Sequence, residues 1–342
     1  MTQDGEKIKR FNLTKTINRL VIVVSIGIVA HLIFLLLTND QNVFQYLHKI
    51  KIPYLFLILF FLSLNWIGHA FRIVLWTRYL KKQFSFKQAL KIAIYTELGA
   101  AVTPTLIGGG PIKLGLLIRN GLSTGKAGFL TLLSGFEDFV MYLLVFLISC
   151  IHAKKSIGRI LNSIGQTIQS NWMLILGVIV TIVIIRLILI KTKTPIGYIP
   201  AKYKPAWNNF KNEMLGGWQE MLSTFKQLSK DGWSYFFVSF PILILQWISK
   251  FTVLVILLYA LGISFKPFEI YIQQWIVYLT MIFVPTPGAT GGAEATFFLL
   301  FEGEIPKDLL PLVVSTWRFF MYYLMLFASV FIIQFFRFKD HE

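Results

Sequence analysis

Six stretches of this chain are long and apolar enough to cross a bilayer: Leu20–Leu37, Pro53–Trp76, Phe129–Ile151, Trp172–Ile190, Trp233–Leu261 and Leu312–Phe336. A helix needs about 20 mostly apolar residues to cover the ~30 Å hydrocarbon layer, and each stretch comes near or exceeds that. Composition agrees: 56% of the 342 residues are hydrophobic and only 14% charged, where a soluble domain carries about 25% charged residues. A soluble enzyme, a disordered chain and a collagen-like or disulfide-rich module are thereby excluded. A single cysteine, Cys150, allows no internal disulfide and no cysteine-based zinc site. The five histidines form no metal-ligand pair at helical spacing, so neither a metal nor another cofactor is expected.

Two further apolar regions, roughly 89–118 and 270–301, are interrupted in the middle. The interruptions read Thr103-Pro104-Thr105-Leu106-Ile107-Gly108-Gly109-Gly110-Pro111 and Pro285-Thr286-Pro287-Gly288-Ala289-Thr290-Gly291-Gly292. Proline removes a backbone donor and clustered glycine is costly in a helix, so neither region can be one continuous helix. Each is expected to enter the bilayer, break, and return to its side of origin. The expected fold is an all-α polytopic membrane protein with about six full spans and two Pro/Gly-broken re-entrant hairpins. Two broken hairpins entering from opposite faces fit an inverted-repeat architecture, although the internal sequence symmetry is limited to a shared Pro-x-x-x-Gly-Gly pattern.

The net charge of +17 is read as topology and as attraction to anionic lipid, not as nucleic-acid binding. Placing both termini in the cytoplasm gives the inner segments roughly a threefold excess of Lys and Arg over the outer ones. The expected organisation is a basic cytoplasmic tail (1–19), a transmembrane domain (20–336) and a cytoplasmic tail (337–342) in a multi-pass protein of the cell membrane. Within the domain, 198–230 is expected to be an amphipathic helix on the cytoplasmic side, with Trp207, Met214, Trp218, Met221 and Phe225 at helical spacing and Lys211 and Glu220 between them. It either lies at headgroup level or packs on the spans as a connector.

Irregular backbone at membrane depth is tolerated only where protein buries it or a watery cavity receives it, so the two breaks mark the candidate site. At the first, Gly108 and Gly109 free backbone N–H groups, the half-helix after Pro111 offers its positive end, and Lys113 follows one turn on. This suits a phosphate or another anion. The alternative is a glycine-lined bend that lets helices approach closely. At the second break, Pro287, Gly288 and Gly291 precede Glu294, which either caps a half-helix or serves a substrate. Arg318, in the last span, needs an anionic partner, and Glu294 or a lipid phosphate is the natural one. If the two residues pair, exchanging their charges is expected to preserve folding. Glu137 and Asp138 sit about 100° apart on their helix, one toward the interior and one toward the headgroups. Glu97 could answer Lys113 or Arg72. Arg72, Arg78, Lys81 and Lys82 are expected to snorkel to the cytoplasmic surface. His69 reads as a hydrogen-bonded interior residue rather than a proton relay, and Arg186 and Lys250 as single cations without context.

These residues carry a resemblance. The first motif, from Pro104 through Gly108, Gly109 and Pro111 to Lys113, is followed by Gly121-Leu122-Ser123 and Asp138; the second, Pro285 to Glu294, is followed by Arg318 and Tyr322. Together they resemble the transmembrane region of the lysylphosphatidylglycerol synthase family, from about Leu20 to Phe336. The resemblance implies a flippase-like membrane domain that binds, and moves between leaflets, an anionic phospholipid or a polyprenyl-phosphate-linked precursor. It places Pro104, Gly108, Gly109, Lys113, Asp138, Pro287, Gly288, Gly291, Glu294 and Arg318 on the substrate. Full-length synthases add a cytosolic aminoacyl-transferase domain, and none is expected in this sequence, so the aminoacyl transfer is not expected either. The competing readings are an integral-membrane enzyme acting on a lipid phosphate and a non-transporting scaffold for envelope synthesis. The expected partners are therefore lipid, a second copy of the chain or an envelope-synthesis protein, and no nucleic acid.

Overall fold

The computed structural model describes residues 50–103, 108–152 and 204–339, with single positions at Gly158, Asn162 and Gln169. The expected spans Leu20–Leu37 and Trp172–Ile190, both tails as far as 49 and from 340, and Pro104 lie outside the described residues. The described residues form helices joined by turns and loops, with no strand among them: α1 (Ile52–Tyr79), α2 (Phe86–Val102), α3 (Gly109–Arg119), α4 (Thr124–His152), α5 (Lys204–Asp231), α6 (Trp233–Ala260), α7 (Pro267–Met281), α8 (Gly292–Phe301), α9 (Leu310–Arg318), a π-helical turn (Phe319–Leu324) and α10 (Met325–Lys339). Among the described residues, four segments are long and apolar enough to cross a membrane: Ile52–Tyr79, Thr124–Ile151, Trp233–Ala260 and Leu310–Ile333. They match four of the expected spans, and the protein is an all-α polytopic membrane protein.

The arms of the two hairpins have the lengths that half-crossings require. At about 1.5 Å per residue, α2, α3, α7 and α8 run about 26, 16, 22 and 15 Å, all short of the ~30 Å layer. Their ends are written locally. Ser85 caps α2 by accepting from the Gln88 N–H at 3.2 Å, and the Gln88 side chain returns the bond to the Ser85 N–H at 2.9 Å. Thr103 turns extended (ψ 148°), as a residue before proline must, and α2 stops. After the break α3 resumes at Gly109, two residues earlier than Pro111 alone suggests. The first turn of a helix has no intrahelical use for its N–H groups, so proline is accommodated at the third position as well as the first. Pro267 opens α7 in the same way.

The chain divides into two compact units, one formed by the residues up to Arg119 together with those from Ser234 on, the other by Asn120–Trp233. In the first unit, interhelical hydrogen bonds tie α1 to α6, α6 to α7 and α7 to α8. Trp76 Nε1 donates to Ser239 Oγ at 2.9 Å, Gln274 Nε2 to the Phe251 carbonyl at 3.0 Å, and Thr280 Oγ1 to Thr296 Oγ1 at 3.2 Å. In a bilayer such bonds replace the hydrophobic drive between helices. An aromatic cluster of Trp247, Phe251, Trp275 and Tyr278 fills the space between α6 and α7. Lys250 is placed by it, with Nζ 5.0 Å from the Trp247 ring centre and 4.7 Å from that of Tyr278.

In the second unit, α5 packs along α4. A Cβ on Gly125 would lie 2.6 Å from the Gly217 carbonyl oxygen, so glycine permits the close crossing. The Phe129 and Phe225 rings meet at 4.7 Å, and Met221 is buried. Glu220 turns toward the start of α4, where Ser123 Oγ donates to it at 2.6 Å while the residue stays partly exposed. Leu215, Trp218 and Leu222 form an exposed apolar stripe. The helix therefore packs as a connector along one side and keeps a second, exposed apolar side; the side chains of Trp207 and Lys211 lie outside the described ones.

Candidate functional site

Glycine sets the geometry of the first break. A Cβ on Gly108 would lie 2.7 Å from the Gly99 carbonyl oxygen, and one on Gly109 would lie 2.9 Å from that of Thr96. The backbones of α2 and α3 therefore touch, and the glycine-lined close approach weighed from sequence is realised. Thr103 closes the corner: its Oγ1 donates to the Gly99 carbonyl at 2.9 Å and accepts from the Gly108 N–H at 2.8 Å. One of the N–H groups freed by the glycines is thus already used.

Lys113, on the first turns of α3, is only 3% exposed. Its Nζ lies 3.4 Å from Nε2 of His69 on α1, and the other ring nitrogen, Nδ1, lies 3.8 Å from Glu97 Oε1 on α2. Glu97 accepts from Asn65 Nδ2 at 2.7 Å and from Trp66 Nε1 at 3.0 Å, and Asn65 Oδ1 accepts from Gln246 Nε2 at 3.2 Å. A polar network thus runs from α3 through α1 and α2 to α6 at membrane depth. Arg72 is buried on the His69 face of α1, three residues along, and does not snorkel as expected; Arg78, Lys81 and Lys82 are exposed. The reason is positional: Asn65, His69 and Arg72 fall at i, i+4 and i+7 and share one helix face. That polar stripe in an otherwise apolar span was the signal in the sequence that pointed to the network.

The second break is a turn held by hydroxyls. Thr286 Oγ1 donates to the Thr290 carbonyl at 2.8 Å and Thr290 Oγ1 to the Pro287 carbonyl at 2.9 Å. Gly288, Ala289 and Gly291 all have positive φ, of 62°, 53° and 89°. Glycine is needed at 288 twice over, since a Cβ there would also lie 2.4 Å from the Tyr322 ring.

Glu294 and Arg318 meet here. Arg318 Nε donates to Glu294 Oε1 at 2.5 Å, and its Nη2 donates to the Gly288 carbonyl at 2.9 Å. Glu294 Oε2 accepts from the Gly291 N–H at 2.7 Å. Both roles weighed for Glu294 are filled by one carboxylate, one oxygen capping α8 and the other pairing with the cation. With Arg318 only 2% exposed and the side chain of Glu294 15% exposed, the pair stitches the last span to the turn.

Tyr322 connects the two breaks. It sits in the π-helical turn that follows Arg318, its ring lies against Gly288 and 5.2 Å from the guanidinium, and its hydroxyl donates to the Ala101 carbonyl at 3.0 Å, at the end of α2. Such turns recur at functional sites. The structure thus brings together Gly108, Gly109 and Lys113 at one break, and Pro287, Gly288, Gly291, Glu294 and Arg318 at the other, with Tyr322 between them. Asp138 belongs to the other unit and is partly exposed, whereas its neighbour Glu137 is 0% exposed. Among the described residues, no three His, Cys, Asp or Glu side chains gather into a metal site.

Residues 22–329 match the family described as "Lysylphosphatidylglycerol synthase TM region". The chain belongs to this family. A UPF0104 membrane protein of Archaeoglobus fulgidus is 24% identical over 286 residues, covering 80% of this chain and 84% of that protein. In this member of the lysylphosphatidylglycerol synthase transmembrane-region family, the described motif residues of the two breaks lie together with Arg318 and Tyr322, whereas Gly121–Ser123 and Asp138 belong to the other unit.

Proposed function

We propose that the chain binds the phosphate headgroup of a membrane lipid, an anionic phospholipid or a polyprenyl-phosphate-linked precursor, and moves it between leaflets. The observation that carries this reading is Lys113, a cation 3% exposed at membrane depth, on the first turns of a half-helix whose positive end opens at a glycine break. A headgroup phosphate complements both charges, while acyl chains remain in the bilayer. Arg318 is assigned a shaping role rather than a headgroup contact, because its Nε and Nη2 are already given to Glu294 and Gly288. The reading assigns no covalent chemistry to the chain. It places the protein in the cell membrane with both termini cytoplasmic, on the strength of the Lys/Arg bias.

The test is reconstitution of the full chain in phosphatidylcholine vesicles containing trace tail-labelled phosphatidylglycerol, with an impermeant quencher outside. Wild type is expected to speed loss of the inner-leaflet signal over empty vesicles. Lys113→Met is expected to slow it about tenfold, the equivalent of roughly 1.4 kcal/mol of lost headgroup interaction. A labelled polyprenyl phosphate that moves where phosphatidylglycerol does not would choose the second lipid class. Equal rates with and without protein for both lipids would overturn the reading.

A further inference from the structure

At the second break Arg318 is held by Glu294 and the Gly288 carbonyl. Another cation lies beside the same hairpin. Lys250, on α6, sets its Nζ 4.7 Å from the ring centre of Tyr278, in the last turn of α7, and 5.0 Å from that of Trp247. Among the described residues these rings are its partners, and no carboxylate pairs with it. Aromatic faces attract a cation through their quadrupole but carry no net charge, so the ammonium is oriented without being neutralised. A cation at membrane depth needs water or a counter-charge within reach. We infer that Lys250 is a second contact for the headgroup phosphate, serving the second hairpin as Lys113 serves the first, a role that rests on the headgroup reading above and extends it.

Lys250 opens away from the lipid. Leu245, Ile248 and Tyr259 are exposed and mark the lipid face of α6, and position 250 lies about 200° round the helix from 248. Its partial exposure is therefore toward the protein interior and not toward acyl chains. Gln246, one turn earlier on the same side, donates to Asn65 of α1, and Trp76 of α1 donates to Ser239, so the two helices run antiparallel. These contacts set the level of Lys250. From the Asn65–Gln246 contact, His69, which carries the Lys113 contact, lies four residues toward the Trp76 end, and Lys250 lies four residues toward the opposite end. At about 1.5 Å per residue, positions 69 and 250 are about 12 Å apart along the axes. The two lysines therefore belong to two depths of the layer, and a phosphate that leaves one meets the other further along its path. Lysine binds phosphate as a rotatable point charge without the two-pronged fork of arginine, which suits a contact that must also release.

The first test uses the unaltered full chain and needs no lipid movement. A water-soluble acetylating ester is applied in dodecyl maltoside micelles containing phosphatidylglycerol, a polyprenyl phosphate or phosphatidylcholine, and acetylation of Lys250 is read by peptide mass spectrometry. Lys250 is expected to react in phosphatidylcholine and about threefold more slowly in one of the anionic lipids at twice its Kd, where a third of the sites stay free. Lys307, 78% exposed, is expected to react alike in all three. The lipid that protects names the headgroup source; no reaction at Lys250, or equal rates in all three lipids, overturns the inference. The second test is the vesicle assay with Lys250→Cys in a Cys150→Ser background, run with whichever lipid the wild type moves. The variant is expected to move it about tenfold more slowly, as for Lys113→Met. Aminoethyl methanethiosulfonate, which returns an ammonium, is expected to recover most of the rate, and the uncharged methyl reagent none. Equal rates after the two reagents, or no loss in the untreated variant, overturn the inference and leave the proposed function standing. If the wild type moves neither lipid, the transport reading fails and protection of Lys250 decides alone, as it does if the variant aggregates.

Discussion

Removing the Arg318 side chain separates two effects that are usually confounded in a membrane protein. Alanine at 318 takes a cation out of an apolar span, which eases insertion by about 2.5–3.5 kcal/mol on translocon scales. The same change strips the folded state of a guanidinium that is 2% exposed and leaves Glu294 without its cation. Breaking a buried pair by deleting one partner costs about 3–5 kcal/mol. Loss of the bond to the Gly288 carbonyl adds about 0.6–1.7 kcal/mol, the range measured for hydrogen bonds inside membrane proteins. Arg318→Ala is therefore expected to reach the membrane in undiminished amount and then to unfold about 4–7 kcal/mol more easily. Glu294→Gln likewise leaves the buried guanidinium without its anion and is expected to cost about 3–5 kcal/mol, although the amide oxygen can still accept from Arg318 or the Gly291 N–H. The structure also reverses the expectation for the charge exchange. Glutamate at 318 cannot donate to the Gly288 carbonyl and arginine at 294 cannot accept from the Gly291 N–H, so the swapped double variant stays unstable. Membrane abundance by immunoblot, with unfolding by dodecyl sulfate in mixed micelles, measures both effects. An Arg318→Ala protein as stable as wild type, or a charge-swapped protein restored to wild-type stability, would refute this account of the pair.

Gly288→Ala is expected to destabilise by at least about 2 kcal/mol, through positive φ and a Cβ driven against the Tyr322 ring at 2.4 Å. Gly115→Ala, with nothing within 4 Å, should stabilise by up to about 1 kcal/mol, and the same micelle titration compares the two. Tyr322→Phe keeps the ring packing and loses the bond to the Ala101 carbonyl, so it is expected to cost only about 0.6 kcal/mol while slowing lipid movement; equal slowing by a distant variant of equal instability would remove Tyr322 from the site. Gly125→Leu must displace Glu220 and the Gly217 carbonyl at 2.6 Å, and should expose the α4–α5 seam to protease in intact membranes while leaving Arg318 protected. Reporter fusions after Arg78 and at 342 should both be cytoplasmic, and a split between them would refute the topology.

What the sequence determined by itself was set by local, additive physics. Runs of about 20 apolar residues must be helical in lipid, because every backbone group needs an internal partner, and Pro/Gly clusters must interrupt them. Both the membrane class and the two breaks follow from that rule, and so does the need of Arg318 for an anion. The tertiary structure decided which anion, and with it the division of labour. Glu294 reached Arg318 only because α8 turns back beside the last span, and that contact ties the cation to the turn. Arg72 could be counted in sequence but its direction could not, since a snorkelling residue and a buried one differ only in which neighbours share the helix face. Lys250 was a cation without context until Trp247 and Tyr278, the latter 28 positions away, closed over it. His69 and Glu97 likewise lie on different helices, and His69 also meets Lys113 on a third; pairings of that kind depend on the crossing of helices, which no linear spacing encodes.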